Sequence, residues 1–139
     1  MSPRPYTLVA ELTYRCPLRC AYCSNPLTLE QKSAEMATGD WLRVIREAEA
    51  LGVVQLNLTG GEPLLRDDLE VLIEEAHSHQ LYTNLITSGL PLDRARLEGL
   101  HARGLDAFQL SLQDTHPEGA ERIAGRAVMD EKLAVAEWV

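Results

Sequence analysis

The chain has 139 residues, 45% hydrophobic and 24% charged, with a net charge of −8, a length that buries roughly two-thirds of the unfolded surface and needs no disulfide framework. No apolar run approaches the roughly 20 residues of a membrane span, and the acidic balance argues against general phosphate-backbone binding, which depends on clustered Lys and Arg. The N-terminal stretch has early prolines and Glu11 where an export signal has its apolar core, so a cytoplasmic protein with no membrane and no nucleic-acid partner is expected.

In chain order, Thr7 to Leu12 reads as a strand. A polar loop follows, and then Trp41, Val44, Ile45, Ala48 and Leu51 recur at helical spacing, with Thr38 as N-cap and Gly52 as stop. Val53 to Thr59 is a second strand. After a glycine turn, Leu69, Leu72, Ile73 and Ala76 share one face of a second helix, with Asp67 placed to cap it. Leu81 to Thr87 gives a third strand, Asp93 to Arg103 a third helix stopped by Gly104, and Asp106 to Leu112 a fourth strand. Glu118 to Val139 reads as a last helix that Gly125 weakens. Strands alternating with helices of this length imply one α/β unit built on a parallel sheet with right-handed crossovers.

Strand parity adds a second expectation. Residues i and i+2 share a strand face. Glu11 and Thr13, then Gln55, Asn57 and Thr59, then Gln109, Ser111 and Gln113 therefore make one polar face, opposite Leu8, Ala10, Leu12, Val54, Leu56, Leu58, Phe108, Leu110 and Leu112. The third strand is ambiguous. Parallel strands buried on both faces avoid polar groups, so the polar face is expected to line a ligand cavity in preference to open solvent.

All three cysteines of the chain, Cys16, Cys20 and Cys23, fall in the loop after the first strand. That is the C-terminal edge of the sheet, where α/β folds place their active sites. An odd count in a reducing compartment disfavours disulfides. Zinc needs a fourth ligand, and His77, His79, His101 and His116 have no paired spacing. A four-iron cluster normally takes four thiolates, so three would leave one iron open to a substrate or cofactor.

The C-x3-C-x2-C spacing of Cys16, Cys20 and Cys23, with Tyr22 before the last cysteine, resembles the signature loop of radical S-adenosylmethionine (SAM) enzymes. The Gly60–Gly61–Glu62–Pro63 run after the second strand resembles that superfamily's SAM-binding glycine motif. The flanking words AELTYRCPLRCAYCSNP, LTGGEPLLRDDLE, YTNLITSG, QLSLQD and RIAG are similar, in order, to those of the PqqA peptide cyclases of pyrroloquinoline quinone biosynthesis.

That resemblance implies a partial (βα) barrel with about four of six βα units present and its helices on the outer face. Residues 1–139 would be the N-terminal part of a radical SAM core domain, without the remaining units and the C-terminal auxiliary-cluster domain. It further implies a [4Fe-4S] cluster on Cys16, Cys20 and Cys23, with S-adenosyl-L-methionine on the fourth iron. Gly60, Gly61, Glu62, Tyr22, Thr87, Ser88 and Ser111 are the implied SAM-contacting positions. The implied reaction is reductive cleavage of SAM to a 5'-deoxyadenosyl radical, which cross-links Glu and Tyr side chains of the precursor peptide PqqA. PqqA would be presented by the carrier protein PqqD, and an electron donor such as flavodoxin would supply the electron. Arg66 either faces an acidic substrate or pairs with Asp67 or Asp68, a surface ion pair being the expectation, and Tyr14 and Asn25 carry no assigned role. Other radical SAM peptide-modifying enzymes, the GTP-cyclising enzyme of molybdopterin synthesis, and a non-catalytic zinc module remain alternatives.

Overall fold

Each of the first three strands is followed by a helix that packs on the apolar side of the sheet. The computed structural model describes residues 4–25 and 32–139. Met1 to Pro3, part of the stretch weighed as an export signal, and Pro26, which closes the cysteine motif, lie outside them. Strands β1 (Thr7–Glu11), β2 (Gln55–Thr59), β3 (Tyr82–Thr87) and β4 (Ala107–Leu110) form one sheet in the order β1-β2-β3-β4. Every pairing is parallel, with Leu8 opposite Leu56, Leu56 opposite Thr83, and Leu85 opposite Phe108.

The helices are α1 (Thr38–Leu51), α2 (Leu69–Ser78), α3 (Arg94–Ala102), α4 (Pro117–Ala124) and α5 (Met129–Ala136). Leu56, Leu58 and Leu85 of the sheet pack with Trp41 and Ile45 of α1, Leu72 and Ile73 of α2, and Leu100 of α3 in one core. The polar face lies on the opposite side. The structure settles the parity of β3: Leu85 is fully buried with the core, whereas the Asn84 amide donates to Asn57 Oδ1 at 3.0 Å. Gln55 Nε2 donates to the same oxygen at 3.1 Å, so side-chain amides on β2 and β3 satisfy one another across the half-buried face.

Several ends differ from their sequence reading. Thr38 is the first residue of α1 rather than its cap. The cap position is Ala37, and the Thr38 hydroxyl donates instead to Asp68 Oδ2 at 2.6 Å. Asp68, not Asp67, precedes α2, and its carboxylate is taken by Arg66 and Thr38 rather than by the helix. Asp93 does cap α3, accepting from Arg96 N at 2.8 Å. The last helix is two, because Gly125 adopts φ 72° at the end of α4 and the chain restarts at α5. Strand β4 ends at Leu110, which leaves Ser111 just beyond it. Among the described residues no helix is long and apolar enough to cross a membrane.

Candidate cofactor site

The cysteine loop leaves the C-terminal end of β1 and is docked at two places. Arg19 N donates to Ala124 O at 3.0 Å and Ala21 N to Ile123 O at 2.9 Å, pairing the loop with the end of α4. Beneath it Leu18 joins Leu90, Ala124 and Val128 in a small second core, against which Cys16 and Cys20 pack. Cys16 and Cys20 are half-buried and Cys23 is exposed; all three are free thiols. Burial pushes the Cys16 thiol above its ordinary value, the Leu18 N–H opposes, and Glu62 and the other two cysteines push further. Cys20 is raised in the same way, by burial and by Cys23, while Lys132 opposes. The thiols therefore lie close enough to repel one another once ionised.

The second docking place is the turn after β2. Gly61 N donates to Thr13 O at 2.6 Å and Glu62 N to Arg15 O at 2.7 Å, stitching this turn to the residues that lead into the cysteines. Such proximity explains both glycines. Gly60 has φ 128°, and a Cβ there would lie 2.3 Å from Thr13 O; a Cβ on Gly61 would lie 2.3 Å from Arg15 O. The first backbone these glycines must approach is that of the cysteine loop itself. Asn25, given no role by the sequence, donates to Gly60 O at 3.0 Å and so ties the far side of the motif to the same turn.

Cys16, Cys20, Tyr22, Cys23, Gly60, Gly61, Thr87, Ser88 and Ser111 all border one cavity of about 200 Å³ at the C-terminal edge of the sheet. A larger concavity of about 580 Å³ lies along the outer side of β1 near Val9 and Trp41, but none of these nine residues lines it. The smaller cavity is the chemically equipped one.

Glu62 stands apart from the other expected residues. It is fully buried, and its carboxylate accepts from Thr87 Oγ1 at 2.6 Å, Ser88 N at 2.8 Å, the Ser88 hydroxyl and Leu64 N at 3.0 Å. Burial pushes its pKa up, against the bonds from Ser88, Thr87 and Leu64. Its side chain thus joins the turn after β2 to the end of β3. Arg66 is likewise not at the surface: it is 5% exposed and makes a bidentate pair with Asp68 at 2.8 and 2.7 Å, while Asp67 pairs with Lys32 instead.

The sequence reading missed Lys132. It is 1% exposed, and its ammonium donates to Ser111 O at 2.6 Å and Gln113 Oε1 at 2.9 Å, directly behind the cavity wall. Burial pulls its pKa down, while the charges of Cys20, Glu62 and Cys16 pull it back up. A signal was present, since Lys132 falls on the same helical stripe as buried Val128 and Val135, where a charge is out of place without a task. Among the described residues no three His, Cys, Asp or Glu side chains are grouped to hold a single metal ion. A four-iron cube asks for less convergence, because each thiolate meets its own iron.

The description "Radical SAM superfamily" matches residues 10–139. Among curated proteins, the chain is 56% identical over 135 residues to the PqqA peptide cyclase of Ruegeria pomeroyi, covering 96% of this chain and 36% of that protein. It is 51% identical over 136 residues to the PqqA peptide cyclase of Gluconobacter oxydans, covering 97% and 38%. The chain thus spans little more than a third of these relatives' length. Streptococcus suis SuiB, solved bound to S-adenosylmethionine, superposes with TM-score 0.79 at 25% identity, over 94% of this chain and 31% of SuiB. The enzyme anSMEcpe with bound AdoMet superposes with TM-score 0.76 at 20% identity, over 96% and 40%, a likeness of fold. The parallel strands with their outer helices are accordingly part of the barrel that these enzymes share, and the chain belongs to the radical SAM superfamily, whose members use a [4Fe-4S] cluster and SAM.

Proposed function

We propose that this chain carries the cluster- and SAM-binding part of a peptide-modifying radical SAM enzyme, with Cys16, Cys20 and Cys23 each holding one iron. The observation that carries this reading is the convergence of the three cysteines of this chain on one cavity with Gly60, Gly61 and Ser111. The donor set fits the group, because soft thiolates are the usual ligands of iron–sulfur clusters and three of them leave one iron for SAM. When bound, the cluster supplies the electron that cleaves the SAM sulfonium to a 5'-deoxyadenosyl radical.

The protein's own residues bind and orient. Gly60 and Gly61 present bare backbone to the cavity for the methionine end of SAM. Lys132, behind Ser111, brings a positive charge to the wall that the SAM carboxylate would face. Tyr22, exposed at the rim, is placed for the adenine, with Thr87, Ser88 and Ser111 lining the remainder. Glu62 holds the turn rather than the ligand.

The likeness to PqqA peptide cyclases supports a peptide substrate of the PqqA kind and a cross-link between its Glu and Tyr side chains. On this reading residues 1–139 belong to the N-terminal core of an enzyme of the relatives' full length. PqqD presents the peptide there, and a flavodoxin-like donor supplies the electron. Anaerobic reconstitution with iron and sulfide tests the site. A brown protein holding close to four irons per chain, whose spectrum changes on adding SAM and whose iron is lost on Cys→Ser replacement, is the expected result. A colourless protein holding zinc, or iron content untouched by replacing all three cysteines, overturns it.

A further inference from the structure

The chain between the end of β1 and the start of α1 contains the whole cysteine motif, and one side chain ties its two ends together. Arg66 Nη1 donates to Leu12 O at 2.9 Å, where the chain leaves β1, and Arg66 Nη2 donates to Met36 O at 3.2 Å, where it returns. The remaining donors hold Asp68, at 2.8 and 2.7 Å, so the guanidinium plane is fixed. Glu35, 3.6 Å from Arg66, completes the junction: it accepts from Thr13 Oγ1 at 2.5 Å and Arg15 Nε at 2.7 Å. Arg15 in turn donates to Leu65 O at 2.9 Å.

One short 3-10 turn, Pro63–Leu65, separates Arg66 from the Gly60–Gly61–Glu62 turn, so the segment that borders the cavity on one side also grips the base of the loop that borders it on the other. A buried guanidinium serving two backbone carbonyls and one carboxylate is not a surface ion pair, and a lysine could not replace its flat fork of donors.

We propose that Arg66 is a positioning residue for the cluster, its guanidinium, with Glu35, closing the base of the cysteine loop so that Cys16, Cys20 and Cys23 stay in ligating register. The inference rests on the proposed cluster-binding role of the cysteines. Groups that hydrogen-bond metal ligands directly typically contribute about 10–100-fold to metal affinity; Arg66 acts on the loop through Leu12 O and Met36 O rather than on a cysteine, so the lower end of that range is expected.

The test follows iron loss from the reconstituted protein to a chelator under anaerobic conditions, in the wild type and in Arg66→Met, Arg66→Lys, Glu35→Gln and Leu100→Ala, with thermal midpoints of the metal-free proteins measured in parallel. Leu100 lies fully buried on α3, and its replacement by alanine destabilises the core without touching the junction. The expected result is iron loss about tenfold faster in Arg66→Met and Glu35→Gln, no rescue by Arg66→Lys despite its retained charge, and a wild-type rate in Leu100→Ala. Wild-type iron retention in Arg66→Met overturns the proposal, as does equally fast loss from Leu100→Ala, which would reduce the effect to general stability. Should Arg66→Met fail to fold, the rate for Glu35→Gln decides alone. A wild type that takes up no iron overturns the cluster reading itself, an outcome distinct from a cluster that binds and ignores Arg66.

Discussion

Ser88 binds Glu62 twice, through its backbone N–H at 2.8 Å and through its hydroxyl, and the carboxylate they share is wholly removed from solvent. This pairing fastens the end of β3 to the turn after β2, and both segments border the cavity. Glu62→Ala strands four buried donors. At about 1–3 kcal/mol for each donor left unsatisfied, partly relieved by relaxation, the variant is expected to lose about 3 kcal/mol or more of unfolding free energy. Glu62→Gln, which keeps one acceptor oxygen, loses less. Urea denaturation of the three proteins reads the order directly.

The glycines divide into two groups by what a methyl group would meet. Gly61→Ala sets a Cβ against Arg15 O and must part the turn from the cysteine loop, at a cost of about 1–3 kcal/mol. Gly99→Ala, in α3 with nothing within 4 Å of the new carbon, gains about 0.5–1 kcal/mol from helix propensity. Thermal unfolding should move in opposite directions for the two variants.

Lys132 offers a binding prediction. Lys132→Met removes the ammonium that holds Ser111 O and Gln113 Oε1 from behind the cavity wall, so it should weaken SAM binding to the reconstituted protein. Lys132→Arg should retain most of it. Equilibrium dialysis with labelled SAM makes the comparison, and unchanged binding in Lys132→Met removes this residue from the site.

The junction around Arg66 predicts an acid dependence. Burial alone would raise Glu35, but the bonds from Arg15 and Thr13 and the charges of Arg15 and Arg66 win, and its carboxyl sits below the ordinary 4.5. Asp68, against the pull of burial, is held below 3.8 by Arg66 and Thr38. Carboxylates with depressed folded values contribute stability that is fully present above their unfolded values and is lost as pH falls through the folded ones. The contribution of these two carboxylates should therefore be lost as pH falls below about 4.5, and Glu35→Gln and Asp68→Asn should each make stability less dependent on pH there than in the wild type, in acid titrations followed by circular dichroism.

What the sequence made legible was periodic or clustered. The alternation in Gln55 to Thr59 announced β2 and its polar face, and Cys16, Cys20 and Cys23 announced the site. Roles decided by a partner distant in sequence were hidden. Thr38 has every local qualification for a helix cap, but Asp68, thirty residues away, competes for its hydroxyl and wins. Arg66 looks like one of many exposed arginines until the carbonyls of Leu12 and Met36 enclose it. The resemblance of the glycine motif implies SAM contact at Gly61 and does not reveal that the atom nearest its missing Cβ is Arg15 O. Periodicity reports which face is buried; it does not report what will be standing there.

The pairing of Arg19 with Ala124 and of Ala21 with Ile123 joins an early loop to a late helix. At a ribosomal pace of about 5–20 residues per second, the thiols emerge on the order of ten seconds before α4 exists to dock them. Throughout that interval nascent chains carry unshielded sulfur, open to oxidants and stray metals. The backbone docking that arranges Cys16, Cys20 and Cys23 around the cavity is therefore complete only once α4 has been translated.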